Sequence, residues 1–130
     1  MLKDTMVEKR GKREAQGETP VAFALQVLGG KWKPLIVYHL HEAGRLRFGE
    51  LGRSMPGITQ KMLTQQLRDL EADGLVLREV FAQVPPRVEY SLTELGLGAK
   101  PVMEQLCAFG RRVAEATGVR LGSCSLLPKD

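Results

Sequence analysis

The sequence predicts a mainly α protein with a small antiparallel sheet (α+β), and three observations carry that prediction. Apolar residues recur at helical spacing along most of the chain, strand-like alternation is confined to residues 75–92, and glycine or proline bounds each periodic segment. With 130 residues, 43% of them apolar, the chain suits one domain with a real core. Its longest apolar run is the five residues Val21–Leu25, whereas a membrane span needs about 20. That predicts no membrane partner and no export signal, hence a cytoplasmic protein.

Residues 1–18 carry nine charges and no helical stripe, and are expected as a flexible polar arm with a basic cluster at Lys9, Arg10, Lys12 and Arg13. Residues 19–116 form the expected folded domain, and residues 117–130 a loose tail. Thr19 and Pro20 read as N-cap and first position of a helix whose body, Val21 to Leu28, is apolar nearly all round. Such a helix needs covering on two sides, which a small domain manages only with a partner subunit. Gly29-Gly30 ends it. Trp32 and Pro34 start a second helix that should bury Leu35, Ile36, Leu40 and Ala43 before Gly44 stops it.

Arg45-Leu46-Arg47 suits a short edge strand. Phe48, Leu51 and Met55 then mark a short helix ended by Pro56-Gly57. Thr59 is the expected N-cap of a helix from Gln60 to Asp73, with Leu63, Leu67 and Leu70 on one face and a Schellman ending at Gly74-Leu75. Two strands follow, 75–83 and 87–92, joined at Val84-Pro85-Pro86; in the second, Val88, Tyr90 and Leu92 should point inward. Thr93 should cap a final helix with a heptad seam of Leu95, Ala99, Val102, Leu106, Phe109 and Val113, which Pro101 should kink or split. A short helix, a tight turn, a longer helix and a two-stranded ribbon make a winged helix-turn-helix arrangement.

The polar residues of the 60–73 helix sharpen that reading. Lys61, Thr64, Gln65 and Arg68 fall at i, i+3, i+4 and i+7 on one exposed face, with Gln60 at its edge. Amide and guanidinium groups bond bidentately to base edges, hydroxyls and ammonium groups serve bases or phosphates, and a helix N-terminus near Thr59 favours phosphate. The acids Asp69, Glu71 and Asp73 sit toward the other end. On the ribbon, Arg78, Gln83 and Arg87 could lean over a groove, with Arg87 the preferred contact and Glu89 its competing partner. Net charge is +4, with excess cations spread evenly, so position rather than total charge carries the argument.

The strings Gly29-Gly30-Lys31-Trp32, Arg47-Phe48-Gly49-Glu50-Leu51, Pro56-Gly57-Ile58-Thr59-Gln60-Lys61-Met62-Leu63-Thr64, Leu67-Arg68-Asp69-Leu70-Glu71, Gly74-Leu75-Val76 and Val84-Pro85-Pro86-Arg87-Val88-Glu89-Tyr90-Ser91-Leu92-Thr93 are similar to the HxlR-type helix-turn-helix regulators of bacteria and archaea. The resemblance covers about residues 19–112. It implies a homodimeric winged-helix transcription factor binding double-stranded DNA. The Gln60–Asp73 helix would be the recognition helix, Val84–Arg87 the wing tip, and the first and last helices the interface, through Val21, Phe23, Leu25, Leu28, Val102, Leu106, Phe109 and Val113. Several members sense oxidants through a cysteine just before the proline that starts the first helix; here that position is Thr19.

Other chemistries find no support. Cys107 and Cys124 are too few for a disulfide framework or a zinc site, and Cys107 reads as a small buried apolar residue. His39 and His41 point ~200° apart on a helix and cannot chelate one metal. Gly29-Gly30-Lys31 lacks the rest of a phosphate-binding loop, and no catalytic triad can be drawn from spacing. The expectation is a non-enzyme without metal or cofactor. Two alternatives stand beside it: a winged-helix protein-interaction module that does not touch DNA, and a DNA-binding regulator gated by a small apolar or electrophilic effector lodged between the first and last helices.

Overall fold

The structure, a computed structural model, describes residues 18–122. The expected cluster Lys9, Arg10, Lys12 and Arg13, and Cys124 in the tail, lie outside the described residues. The described residues fall into two compact units, dividing between Leu97 and Gly98.

In the first unit, Thr19 Oγ1 accepts a hydrogen bond from Ala22 N–H (3.1 Å) and Pro20 opens helix α1 (Pro20–Leu28). α1 buries none of its residues. Helix α2 (Trp32–Ala43) instead turns Ile36, Val37 and Leu40 fully inward. The expected stripe is thus corrected at three positions: Val37 is buried, Leu35 is half-buried, and Ala43 is exposed. Ala43 belongs to the last turn, where Gly44 (φ 83°) swings the chain out and donates its N–H to Leu40 O at 2.8 Å.

Strand β1 (Arg45–Arg47) feeds helix α3 (Phe48–Ser54), where Glu50 Oε1 accepts from Arg47 N–H at 2.8 Å. Helix α4 (Gln60–Ala72) buries Leu63, Leu67 and Leu70, as its spacing predicts. These meet the α2 stripe, Leu51, Met55 and Val76 in the core. Burying each leucine stabilises by about 1.5–3 kcal/mol, enough to fix the rotation of α4 and therefore the direction of its opposite face. The end of α4 is the expected Schellman motif: Leu75 N–H donates to Leu70 O (2.9 Å) and Gly74 N–H to Glu71 O (3.0 Å), with Gly74 at φ 85°.

Strands β2 (Val76–Phe81) and β3 (Arg87–Leu92) complete an antiparallel sheet of order β1–β3–β2. β2 is shorter than the predicted 75–83, because Leu75 is spent on the helix stop and Gln83 belongs to the exposed hairpin tip. Thr93 then acts as a junction. Its hydroxyl donates to Gly74 O (2.5 Å) and accepts from Gly96 N–H (3.0 Å), tying the short helix α5 (Glu94–Leu97) to the end of α4.

The second unit is built on helix α6 (Lys100–Thr117), with Pro101 in its first turn, so the expected final helix is split rather than kinked. Met103 and Ala114 are buried, while Val102, Leu106, Phe109 and Val113 are exposed. Cys107 is corrected: it is half-buried and disulfide-bonded, a pairing set in three dimensions that helical spacing does not reveal. Among the described residues no helix is long and apolar enough to cross a membrane.

Candidate nucleic-acid interface

The site begins with the rotation of α4. With its leucines anchored, Gln60, Lys61, Gln65 and Arg68 are exposed and Thr64 is half-buried beside them. Together with Phe48 from the start of α3, these five residues line a groove of about 570 Å3. The face is polar and cationic, with a ring at one edge.

Individual hydrogen bonds refine what each group can do. Thr59 Oγ1 accepts from Met62 N–H (3.0 Å) and Thr59 O from Leu63 N–H (2.9 Å), so Thr59 is the cap that starts α4. Thr59→Ala is expected to lower the unfolding free energy by about 1 kcal/mol, read from a urea titration, because Met62 N–H loses its acceptor. Thr64 donates its hydroxyl hydrogen to Gln60 O (2.8 Å), leaving an oxygen that accepts rather than donates. Gln65 Nε2 donates to Asp69 Oδ1 (3.1 Å), and Asp69 Oδ2 pairs with Lys33 Nζ on α2 (3.4 Å). Asp69 therefore holds the Gln65 amide in place.

The sheet separates the basic residues of the hairpin. Register pairs Arg78 with Tyr90 and Val88 with Val80, on the face turned to α4; Arg87, Glu89 and Ser91 point away, as the alternation predicts. On that outer face Glu79 and Glu89 stand directly opposite each other, and Arg45 bridges them at 2.7 and 3.3 Å. The hydrogen bond with Glu89, then the charge of Glu79, hold the Arg45 guanidinium more firmly protonated. Arg87 Nε lies 2.8 Å from Glu89 Oε2, though its N–H is not aligned on that oxygen, and its guanidinium stacks over Phe81 at 4.4 Å. The competing Glu89 pair is the one that forms, so the outer face is charge-matched internally. The exposed tip remains, with Val84 and Pro85-Pro86 beyond Arg87.

A second cleft, about 530 Å3, lies between α4 and the sheet, lined by Phe48, Thr64, Leu67, Arg68, Glu71, Arg78, Val88 and Tyr90. The sequence marks Phe48 only as an apolar position of the short helix and Glu71 only as an acid near the helix end, neither as a residue of the site. The signal was present for Glu71: Thr64, Arg68 and Glu71 are at i, i+4 and i+7, the same relation that groups the leucines. Burial pushes the Glu71 carboxyl above its usual range, while the nearby charges of Arg78 and Arg68 pull it back.

Residues 27–117 match the family described as HxlR-like helix-turn-helix. The HTH-type transcriptional regulator YybR of Bacillus subtilis is 51% identical over 105 residues, which cover 81% of this chain and 83% of that protein. An HTH-type transcriptional regulator of the archaeon Methanothermobacter thermautotrophicus is 50% identical over 91 residues, covering 70% of this chain and 69% of that protein. The solved structure of the redox regulator HypR in its reduced form superposes with a TM-score of 0.72 at 51% identity, covering 77% of this chain and 98% of that one.

Proposed function

This chain belongs to the HxlR-like helix-turn-helix family of transcriptional regulators, and from that premise we propose that it binds double-stranded DNA as a homodimer on a roughly palindromic operator. The observation that carries the reading is the exposed polar face of α4 opposite its buried leucines. Two such helices enter successive major grooves about 34 Å apart, with the hairpin tips flanking. Arg68 and Gln65 read base edges, Lys61 and Gln60 serve phosphate, and Thr64 accepts at the groove floor. At the helix start Met62 N–H is already capped, so the backbone N–H groups of Gln60 and Lys61 are the ones placed for a phosphate. Arg78 contributes from the cleft, and Arg87 acts from the tip once Glu89 yields it to phosphate.

Self-association is supported by two apolar faces, each taken by itself. On α1, Val21, Phe23 and Leu25 are exposed, Val21 at 71%, while Leu28 is half-buried. On α6, Val102, Leu106, Phe109 and Val113 are spaced four, three and four apart along one side. A second copy of the chain is the simplest cover for both. The protein is read as a cytoplasmic regulator rather than an enzyme. A protein-docking module would need an apolar patch on α4, where this chain presents lysine, glutamines, threonine and arginine. HypR carries a redox role in its name; here Thr19 stands where the resemblance puts the sensing cysteine, so no thiol switch is carried over.

The test is the combined variant Lys61→Ala, Gln65→Ala and Arg68→Ala in a gel shift against the DNA upstream of its own gene. With about 1–3 kcal/mol at stake for each base-reading group, operator affinity is expected to fall at least a hundredfold. Lys61→Ala alone is expected to weaken all sequences alike and to flatten the salt slope by about two units, one for each protomer of the proposed dimer. Unchanged affinity in the triple variant overturns the assignment of α4.

A further inference from the structure

The cleft between α4 and the sheet holds a carboxylate that DNA binding as such does not call for. Glu71 shares one side of α4 with Thr64 and Arg68, and Arg78 reaches the same cleft from β2 beside Tyr90. The carboxyl is half-buried, and its charge interacts with Arg78 most strongly and with Arg68 next. Both guanidinium groups are themselves exposed.

A duplex with α4 in its major groove carries a sugar–phosphate strand along the flank of that helix, where the β2–β3 hairpin stands. Two free guanidinium groups there would bind any phosphate in any register, strengthening binding to all DNA alike. A carboxylate in the same cleft changes that balance. It offsets part of their charge and repels a phosphate that enters the cleft.

We infer that Glu71 is a specificity residue, its carboxylate offsetting the charge of Arg68 and Arg78 in the cleft they share so that a phosphate is favoured there only on a correctly seated operator. This rests on the DNA-binding reading above and deepens it. The titratable groups facing Glu71 are Arg68 from its own helix, Arg78 from β2 and Tyr90 from β3. Burial raises the Glu71 carboxyl's range, so acidification neutralises it and leaves the charge of both arginines unopposed in the cleft. Binding to non-operator DNA therefore tightens as pH falls, and the tightening depends on Glu71.

The experiment compares wild type, Glu71→Gln, Arg78→Met and the double variant on operator and scrambled duplexes over a salt series. Gln is isosteric, and a melting temperature within about 2 °C of wild type shows that the fold is kept. Glu71→Gln is expected to bind scrambled DNA about three- to tenfold tighter, with a salt slope steeper by about two units, one for each protomer. Its preference for operator should fall by a similar factor, and the extra tightening of scrambled-DNA binding on acidification should be lost. In the Arg78→Met background the gain from Glu71→Gln should shrink, because the carboxylate acts through that arginine. A wild type that binds the operator with a normal salt slope, beside a Glu71→Gln variant identical to it in slope and preference, overturns this inference alone. A wild type that shows no salt-dependent DNA binding overturns both readings.

Discussion

Leu106→Asp combined with Phe109→Asp is expected to convert the protein to a monomer and to lower operator affinity at least a hundredfold. Both side chains lie on the open side of α6, Leu106 48% and Phe109 64% exposed, so removing them takes little from the subunit itself. In a two-fold dimer every substitution counts twice, and four apolar side chains leave the interface together. Each stands for about 1.5–3 kcal/mol of burial, and a carboxylate put in its place must either be desolvated or hold the surfaces apart. Four such losses come to about 6–12 kcal/mol before the cost of the carboxylates, comparable to the whole association free energy of a micromolar dimer, about 8 kcal/mol. Loss of DNA affinity follows from geometry. Two linked recognition helices make the second half-site engagement intramolecular, at an effective concentration near millimolar, and a monomer forfeits it. Sedimentation equilibrium and a gel shift read the two effects, and circular dichroism checks that the helices persist. A dimer that survives both charges would place the self-association surface elsewhere.

The parts of this protein that are legible in its sequence are those governed by local rules. Leu63, Leu67 and Leu70 repeat at helical spacing, Thr19 and Thr59 cap, and Gly74-Leu75 stops α4, so the rotation of the proposed DNA-reading helix follows from residues within it. What was not legible depends on pairing between distant segments. Arg78 and Arg87 look equivalent as basic residues of one hairpin, yet the β2–β3 register sends them to opposite faces, one toward α4 and one beside Glu89. Val37 becomes core through the packing of α2 on α4, which a tally of apolar positions cannot choose over Leu35. The acids of α4 mislead for a similar reason. Along the sequence they sit near its C-terminal end; in space Asp69 reaches back to Gln65 and across to Lys33, and Glu71 faces a strand.

Gly96→Ala is expected to be among the most damaging single-methyl additions in the first unit. A Cβ at Gly96 would lie 2.2 Å from Leu75 O and 3.1 Å from the Leu75 carbonyl carbon, both backbone atoms that cannot rotate away. Leu75 O is already engaged, accepting from Thr93 N–H at 2.9 Å, and Leu75 N–H closes the Schellman motif on Leu70. Relief therefore requires moving α5 away from β2, which breaks the Thr93 bridge between Gly74 and Gly96, or moving Leu75, which loosens the end of α4. Overpacking against rigid backbone costs about 3 kcal/mol, the upper part of its usual range. For a unit of this size that lowers the melting temperature by more than about 10 °C. The same substitution at Gly52 provides the contrast. Gly52 lies within α3, where the added methyl meets Leu63 Cδ2 of α4 at 3.7 Å, an ordinary contact, and Gly52→Ala should stabilise by about 0.4–1 kcal/mol. Because the strain at Gly96 is transmitted to the junction of α4 and β2, Gly96→Ala should also weaken operator binding at temperatures where the fold survives. A Gly96→Ala protein that melts with wild type would mean that α5 is free to shift, and that the junction does not fix the angle between helix and hairpin.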